Sequence, residues 1–160
     1  MQTTPLRMTH LQADLDGLYK SVVDDFKAIR WENWMQTQFR RMEELHAGFF
    51  YGQQGPDGKQ WAPNKPATIK RKGHGIVLVD RYKLLPSMTR PFADEAVRIT
   101  VDEWPKATMI FGNTLPYSVI NNLGNPAKNL PARVHIGLTR IFFDKMAESA
   151  VEFAREKITR

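Results

Sequence analysis

The chain has 160 residues, of which 42% are hydrophobic and 25% are charged, and its formal net charge is +6. This length and composition predict one globular domain spanning residues 1–160. No apolar run is long enough to cross a bilayer, so we expect no membrane partner. The chain contains no cysteine, which excludes disulfides and thiolate metal sites.

Residues 10–50 carry two successive helical patterns, because apolar residues recur there every three or four positions. One bent helix and two helices both fit this spacing; we favour two, with a joint near Ile29 to Glu32. Gly48 and Gly52 are expected to end the second helix, since glycine commonly closes helices. The first apolar stripe is Leu11, Leu15, Leu18, Val22, Phe26 and Ile29, and the second is Trp31, Met35, Phe39, Met42, Leu45 and Phe49.

A tight turn, Pro56-Asp57-Gly58, opens the predicted irregular region of residues 53–90. Proline presets φ in such a turn and glycine accepts a positive φ without steric cost, so Gly58 is expected to have φ above zero. Trp61 follows among polar residues and prolines. We predict that its indole is buried and pins the turn onto the core, because a large aromatic side chain in a polar loop needs a pocket.

Short helices are expected in the rest of this region. Thr68 to Lys72 can form one helical turn, while the charged segment Lys65 to Gly75 is expected to be mobile in the free protein. Asp80 is predicted to cap a brief helix through Leu84-Leu85, since aspartate is a favoured N-cap residue. Pro86 is expected to limit that helix.

Residues 96–138 are predicted to form a small antiparallel sheet. Val97 to Val101 alternates apolar and polar residues, as a half-buried strand does. Ala107 to Phe111 is its expected hairpin partner across a loop of about five residues. Tyr117 to Leu123 fits both a helix and a strand, and the alternation in Val134 to Leu138 predicts a third strand.

A closing helix is predicted from Thr139 to Lys157. Its apolar band is broad, which indicates burial on two sides: against the sheet, and against the N-terminal helices or a neighbouring subunit. Together these elements predict the α+β class. The expected architecture has N-terminal helices, a small antiparallel sheet beside a long irregular loop, and a C-terminal helix packed on the sheet.

The titratable side chains show no spacing typical of a catalytic or metal site, so we expect no enzyme activity, cofactor or metal. His46 follows Glu43 by three residues on a predicted helix, which favours an exposed ion pair. His135 lies in the predicted third strand and is expected to be exposed or at an interface. Ser87 and Ser118 lack the Gly-x-Ser-x-Gly elbow of hydrolases.

Basic residues adjoin aromatic residues at two places, Arg30-Trp31 and Arg81-Tyr82-Lys83. Such pairs can stack nucleobases, and the positive net charge suits a partner that carries phosphate groups. A basic nucleic-acid-binding module is therefore the alternative function.

Several motifs occur in order between residues 50 and 140. In this order and spacing they resemble the phage virion morphogenesis, or tail-completion, family of Mu G-like proteins. The chain departs from the family pattern at Tyr82, where the family has glycine, at Asn121 or Asn122, where it often has histidine, and at Val134-His135, which replaces Pro-Phe. The motifs are Pro56-Asp57-Gly58 with Trp61, Thr68-x-x-x-Lys72, Leu78-Val79-Asp80 with Leu84 and Ser87, Tyr117-Ser118-x-x-x-x-Leu123-Gly124, and Leu130-Pro131-Ala132-Arg133 with Ile136-Gly137-Leu138.

The resemblance implies a structural protein of a tailed phage or prophage virion rather than an enzyme. Such proteins form homo-oligomeric rings, commonly hexamers, at the head-proximal end of the tail or in the neck, and they complete the tail for head–tail joining. The implied partners are further copies of the chain, tail tube or sheath proteins, neck or connector proteins, and DNA that passes through the ring. The implied location is the virion, which is assembled in the host cytoplasm. The residues that carry the motifs are Pro56, Asp57, Gly58, Trp61, Asp80, Leu84, Tyr117, Gly124, Pro131, Arg133 and Gly137.

Overall fold

The computed structural model describes the backbone of residues 8–158 and the side chains of residues 16–158. It confirms the α+β class, with N-terminal helices, a two-stranded antiparallel sheet and a C-terminal helix. The elements are α1 (Met8–Ala28), α2 (Glu32–Gly52), α3 (Pro66–Lys72), α4 (Leu84–Thr89), β1 (Ala96–Glu103), β2 (Lys106–Asn113), α5 (Pro116–Leu123) and α6 (Arg140–Ile158), with a 3-10 turn at Pro126–Lys128.

The N-terminal region consists of two helices separated by residues 29–31, as predicted. The joint is held by a hydrogen bond from the Trp31 backbone N–H to the Asp102 carboxylate, at 2.7 Å. The apolar stripe of α2 is largely buried, whereas the described part of the α1 stripe is mostly exposed. Leu11 and Leu15 lie outside the described side chains. The two helices therefore differ in role, because only α2 contributes a full face to the core.

The end of α2 differs from the prediction in its closing residue. Gly48 lies inside the helix, Gly52 is its last residue, and the left-handed position falls on Gln53, with φ 54°. The side chain of Gln53 compensates for this unusual backbone. Its amide N–H donates to the Phe50 carbonyl at 2.6 Å, and its amide oxygen accepts from the Val77 N–H at 2.5 Å.

The region after the turn is more regular than expected, since α3 contains the predicted helical turn and extends it. The predicted cap of α4 is wrong: Lys83 is the N-cap, and the Asp80 carboxylate instead accepts from Arg71 Nη2 at 2.6 Å. Pro86 lies in the first turn of α4, where backbone N–H groups make no hydrogen bond within the helix. The N–H group that proline lacks is therefore not needed, and the helix continues to Thr89.

The sheet is a single hairpin in which β1 pairs antiparallel with β2, from Ala96 opposite Asn113 to Glu103 opposite Lys106. The strands are longer than predicted, and the connecting loop is only Trp104-Pro105. The ambiguous segment after β2 is a helix, α5.

The predicted third strand is wrong, because residues 134–138 pair with no strand in the described chain. Two of their backbone donors are satisfied by a side chain instead. Asn122 Oδ1 accepts from the N–H groups of His135 and Ile136, at 2.9 and 3.0 Å. An amide side chain thus replaces the neighbouring strand that this segment would otherwise need.

The sequence pattern suggests that the apolar face of β1 packs on the core. In the structure it is the other face of the hairpin that packs there. Ile99 of β1 and its cross-strand partner Ile110 are each 47% exposed. Arg98 lies on the inner face, where its guanidinium Nε donates to the buried carboxylate of Glu43 at 2.9 Å. The alternation of a strand is therefore present, but its apolar side points away from α2.

The main core cluster lies between the C-terminal half of α2, α4 and the segments on either side of α4, and the closing helix lies apart from it. α6 packs against α1 and α2 rather than on the sheet, with Ser149 Oγ 3.1 Å from Trp34 Nε1 and the rings of Phe153 and Trp31 5.5 Å apart. Among its described side chains only Ala154 is buried. The core cluster comprises Phe49, Phe50, Trp61, Val77, Val79, Leu84, Met88 and Leu115.

Candidate functional site

The Pro-Asp-Gly turn has the predicted geometry. Gly58 has φ 76°, and the Asp57 carboxylate accepts from the Lys59 N–H at 3.1 Å, which closes the turn locally. Trp61 is buried, with 7% of its surface exposed. Its indole N–H donates to the Val134 carbonyl at 2.9 Å, and its ring packs edge-on against Phe50 at 5.4 Å. The anchor prediction is confirmed, and the anchor point lies 73 residues further along the chain.

Arg133 holds the same two segments together from the other side. It is buried, and its guanidinium donates to the Ala62 carbonyl from Nε at 3.0 Å and to the Pro63 carbonyl from Nη2 at 3.1 Å. Its own N–H donates to the Asn121 carbonyl at 2.8 Å. Burial lowers the pKa of Arg133. The arginine therefore acts as a backbone clamp rather than as a surface charge.

Two of the motif glycines mark points where distant segments touch. Gly124 has φ 76°, and a Cβ there would lie 2.6 Å from the backbone nitrogen of Ala132. A Cβ on Gly137 would lie 2.9 Å from Cγ of Pro56. We call this region, residues 55–63, 121–124 and 131–137, the motif junction. It brings together the turn, the end of α5 and the segment before α6.

The remaining motif residues lie around the junction, apart from Pro131, which lies at its edge. Leu84 is a core residue, whereas Asp80, Tyr117 and Pro131 line an open groove beside the junction. The hydrogen bond from Arg71 lowers the pKa of Asp80. Tyr82, at the position where the resembled family has glycine, takes a positive φ of 53°.

The groove has a volume of about 1390 Å³ and is strongly basic. Asp80 is the one carboxylate among its described lining residues, and Leu123 and Tyr117 add exposed apolar surface. Arg71 pairs with Asp80, and Lys83 pairs with Glu95 outside the groove at 2.9 Å. We call this the basic groove; its cationic side chains are Lys65, Arg71, Lys72, Arg81, Lys83, Lys128 and Arg133.

The predicted environment of His46 is wrong. Only 1% of its surface is exposed, and its Nδ1 lies 2.6 Å from the Met42 carbonyl, while Nε2 is buried without a hydrogen-bond partner. Burial is the main cause that lowers its pKa to about 4, and the charge of Arg98 acts in the same direction. Glu43, its expected partner, is committed to Arg98. The helical spacing that suggested an exposed pair places both residues on the core side of α2.

His135 is also buried, contrary to the prediction, and forms a pair with Ser118 that the sequence does not indicate. Ser118 Oγ lies 3.0 Å from His135 Nε2, and the other ring nitrogen lies 3.0 Å from the Arg133 carbonyl. Asn113 Nδ2 also donates to Ser118 Oγ, at 3.1 Å. A nucleophile needs access to its substrate, and both side chains are closed from solvent. This arrangement fits a structural polar network within the fold.

The two basic–aromatic sites differ in accessibility. Trp31 packs against Trp34 at 5.7 Å and against Phe153, so its faces are engaged within the chain. Tyr82 is exposed near the basic groove. Only the second site presents an aromatic ring to a partner.

Within the described residues, no three His, Asp or Glu side chains come together as metal ligands. No helix in that part of the chain combines the length and apolar character needed to cross a membrane. Comparisons with protein-family models, with curated proteins and with solved structures returned no match.

Proposed function

We propose that the chain is a structural subunit of a phage or prophage virion. It forms a homo-oligomeric ring, most simply a hexamer, at the head-proximal end of the tail or in the neck, and completes the tail for head–tail joining. The observation that carries this proposal is the outward apolar face of the hairpin. Ile99 and Ile110 lie side by side at 47% exposure each, and Val101 extends the same face.

An apolar sheet face of this kind needs a cover. A two-stranded sheet also has two unpaired strand edges. Proteins normally protect exposed apolar faces and strand edges by assembly or with a covering element. In the described chain the only helical layers lie on the opposite, Arg98-bearing side. A neighbouring copy or the tail surface would cover both the face and an edge, which is what a ring subunit requires.

The motif junction supports the resemblance on which the proposal rests. Gly124 and Gly137 stand where a side chain would collide with another segment. Tyr82 has a positive φ where the family has glycine. The shared motifs thus coincide with positions that the backbone geometry restricts, as expected if they describe a common fold. By the same resemblance, the partners are tail tube or sheath and neck or connector proteins, the ring encloses passing DNA, and the location is the virion.

The test is to substitute the exposed hairpin face. Ile99→Lys combined with Ile110→Glu, which places opposite charges across the strand pair, should change the melting temperature little, because both side chains are half exposed, and should abolish incorporation into particles. Lys106→Asp, an exposed position near the hairpin tip, is the matched control and should be incorporated normally. Cryo-electron microscopy of the particle gives the readout. A monomeric decoration, or absence of the chain from the mature virion, would contradict the proposal.

A nucleic-acid-binding module remains the second candidate, since the basic groove is a specific observation in its favour. Phosphate contacts make affinity fall steeply as salt rises. Binding of duplex and single-stranded DNA, measured at low and at physiological ionic strength, therefore separates the two functions. Tight binding that disappears with salt and requires Lys65 and Arg81 would favour the second candidate over a ring held by apolar contacts.

A further inference from the structure

We propose that the basic groove of one copy receives the solvent-facing side of α6 from the next copy, and that this is the head-to-tail contact that closes the ring. The proposal rests on the proposed function, because it specifies which surfaces of the ring subunits meet. It assigns an occupant to the groove and a partner to the exposed face of the closing helix.

The groove offers positive charge that the chain itself does not neutralise. Among the described residues, Lys65, Arg81 and Lys128 form no salt bridge with a carboxylate. Arg133 is buried as a clamp on backbone carbonyls and adds no surface charge. Lys72 likewise donates to the Ile76 carbonyl, at 2.5 Å. The groove therefore presents several cations whose natural complement is a row of carboxylates.

The exposed face of α6 carries such a row. Asp144, Glu148, Glu152 and Glu156 follow one another at intervals of four residues and are all exposed, and the exposed cations Lys145 and Arg155 are interspersed among them. Residues four apart lie on the same side of a helix, so these carboxylates form a stripe about 18 Å long. One of them, Asp144, is paired within the helix, with Arg140 at 2.9 Å.

The apolar parts of the two surfaces also match. Val151 and Ile141 are exposed on α6 near the acidic stripe, at 53% and 69%. In the groove, Leu123 is 71% exposed and Tyr117 lies beside it on the same helix. A nucleic-acid backbone would satisfy the cations but would leave these apolar side chains in water. An amphipathic helix with carboxylates satisfies both, which favours a second copy over nucleic acid.

The two surfaces cannot meet within one chain. Ser149 and Phe153 attach α6 to the first turns of α2, whereas the groove lies beyond its C-terminal end, where Gln53 bonds to Val77. α2 has 21 residues and is about 31 Å long at 1.5 Å per residue. Complementary surfaces at opposite ends of one rigid element produce a heterologous contact, which closes into a ring or continues as a filament.

Cysteine trapping tests this contact cleanly, because the chain contains no cysteine of its own. Glu152→Cys protein is mixed with Arg81→Cys protein and treated with a short bis-maleimide, and a mixed dimer is expected in high yield. Lys70→Cys replaces Arg81→Cys in the control, since Lys70 lies on α3 but does not line the groove. A yield no higher than that of the control would overturn the proposal.

Charge reversal gives a second, independent readout on the full chain. Glu148→Lys with Glu152→Lys should weaken self-association at least about tenfold, and Arg81→Glu with Lys128→Glu should do the same. All four changes in one chain should restore association, because the reversed charges again oppose each other. Unchanged association in the separate variants, or no recovery in the combined one, would overturn the proposal.

The experiments distinguish an error in the proposed contact from an error in the proposed function. Rings that form in the virion while the trapping and reversal tests fail would reject the contact alone. Absence of the wild-type chain from the virion, with no association by any cross-linker, would reject the ring function and the contact together. Salt-sensitive DNA binding that requires Arg81 and Lys128, with normal association of the Glu148→Lys and Glu152→Lys variant, would assign the groove to nucleic acid and overturn the contact.

Discussion

The motif junction and the α1–α6 layer of this molecule are built in opposite ways. At the junction, Trp61 and Arg133 are buried and bond to backbone carbonyls of distant segments. In the α1–α6 layer, most described side chains are exposed and few contacts join the helices to the rest of the chain. In the motif junction the buried polar groups find their partners within the same chain. In the α1–α6 layer, apolar and acidic side chains remain exposed to solvent.

This difference separates stability from association. A region that fills its pockets and satisfies its donors stabilises the monomer, and changes there should lower the free energy of unfolding. A region that exposes its residues should tolerate substitution in the monomer and show its effects only in the assembly. Three predictions test whether buried, bonded positions carry the stability of the monomer, in order of decreasing effect.

Trp61→Ala should lower the free energy of unfolding by about 3–5 kcal/mol, because it empties a core position and leaves the Val134 carbonyl without its donor. Trp104→Ala is the matched control, since Trp104 is 54% exposed at the hairpin tip. Its effect should stay within about 0.5 kcal/mol. Denaturant unfolding of both variants gives the comparison, and similar losses for the two tryptophans would show that the junction is not the more stable region.

Acidification should destabilise the fold through His46. The unfolded chain binds a proton at the ordinary pKa of 6.5, and the folded chain only near a pKa of about 4. The stability that the neutral His46 contributes is therefore fully present above pH 6.5. It is lost as the pH falls towards 4, which lowers the free energy of unfolding by about 3 kcal/mol at most. Burial lowers the pKa of His135 as well, so it adds loss of the same sign.

The control for this prediction is His46→Phe, which keeps a ring beside Phe49 and Phe111. The free energies of unfolding of both proteins are compared at pH 7.5 and pH 4.5. Carboxylates also titrate in this range, but they are the same in both proteins, so their contribution cancels in the comparison. The variant should lose less stability on acidification than the parent. Equal losses in the two proteins would mean that His46 is not held neutral by its surroundings.

A pair of glycines separates backbone strain from close contact. Gly58 and Gly124 both have φ 76°, but a Cβ on Gly58 meets nothing within 4 Å whereas one on Gly124 strikes Ala132. Gly58→Ala should cost about 1 kcal/mol of left-handed strain. Gly124→Ala should cost at least about 2 kcal/mol, because Gly124 also has ψ 176°, a conformation essentially reserved for glycine, and overpacking is added to that strain. Thermal unfolding measures both costs. Equal costs would show that the close approach of Gly124 to Ala132 adds nothing to the cost of a side chain there.

Features that depend on neighbours along the chain were predictable from the sequence. The helix joint at residues 29–31, the positive φ of Gly58 and the start of α6 after Thr139 all follow local rules. Thr139 Oγ1, for example, accepts from the Phe142 N–H at 3.1 Å, as a helix cap does. Capping, turn geometry and periodicity are largely properties of a few consecutive residues, so the sequence alone determined them at these positions. The cap of α4 was an exception, because Asp80 pairs with Arg71 instead.

Features that depend on distant partners were decided only by the tertiary structure. The alternation of β1 predicts one apolar and one polar face but not which of them turns inward. The polar face does, because Arg98 pairs there with Glu43, which lies 55 residues away. The third strand was lost because Asn122 satisfies its donors, and His46 was buried because α2 presents that side to the hairpin. The basic groove combines four separate segments, and no one of them, not even the charged segment Lys65 to Gly75, shows the groove by itself. Long-range pairing sets these outcomes, because the energy of a buried charge or an unpaired donor depends on what the fold places beside it.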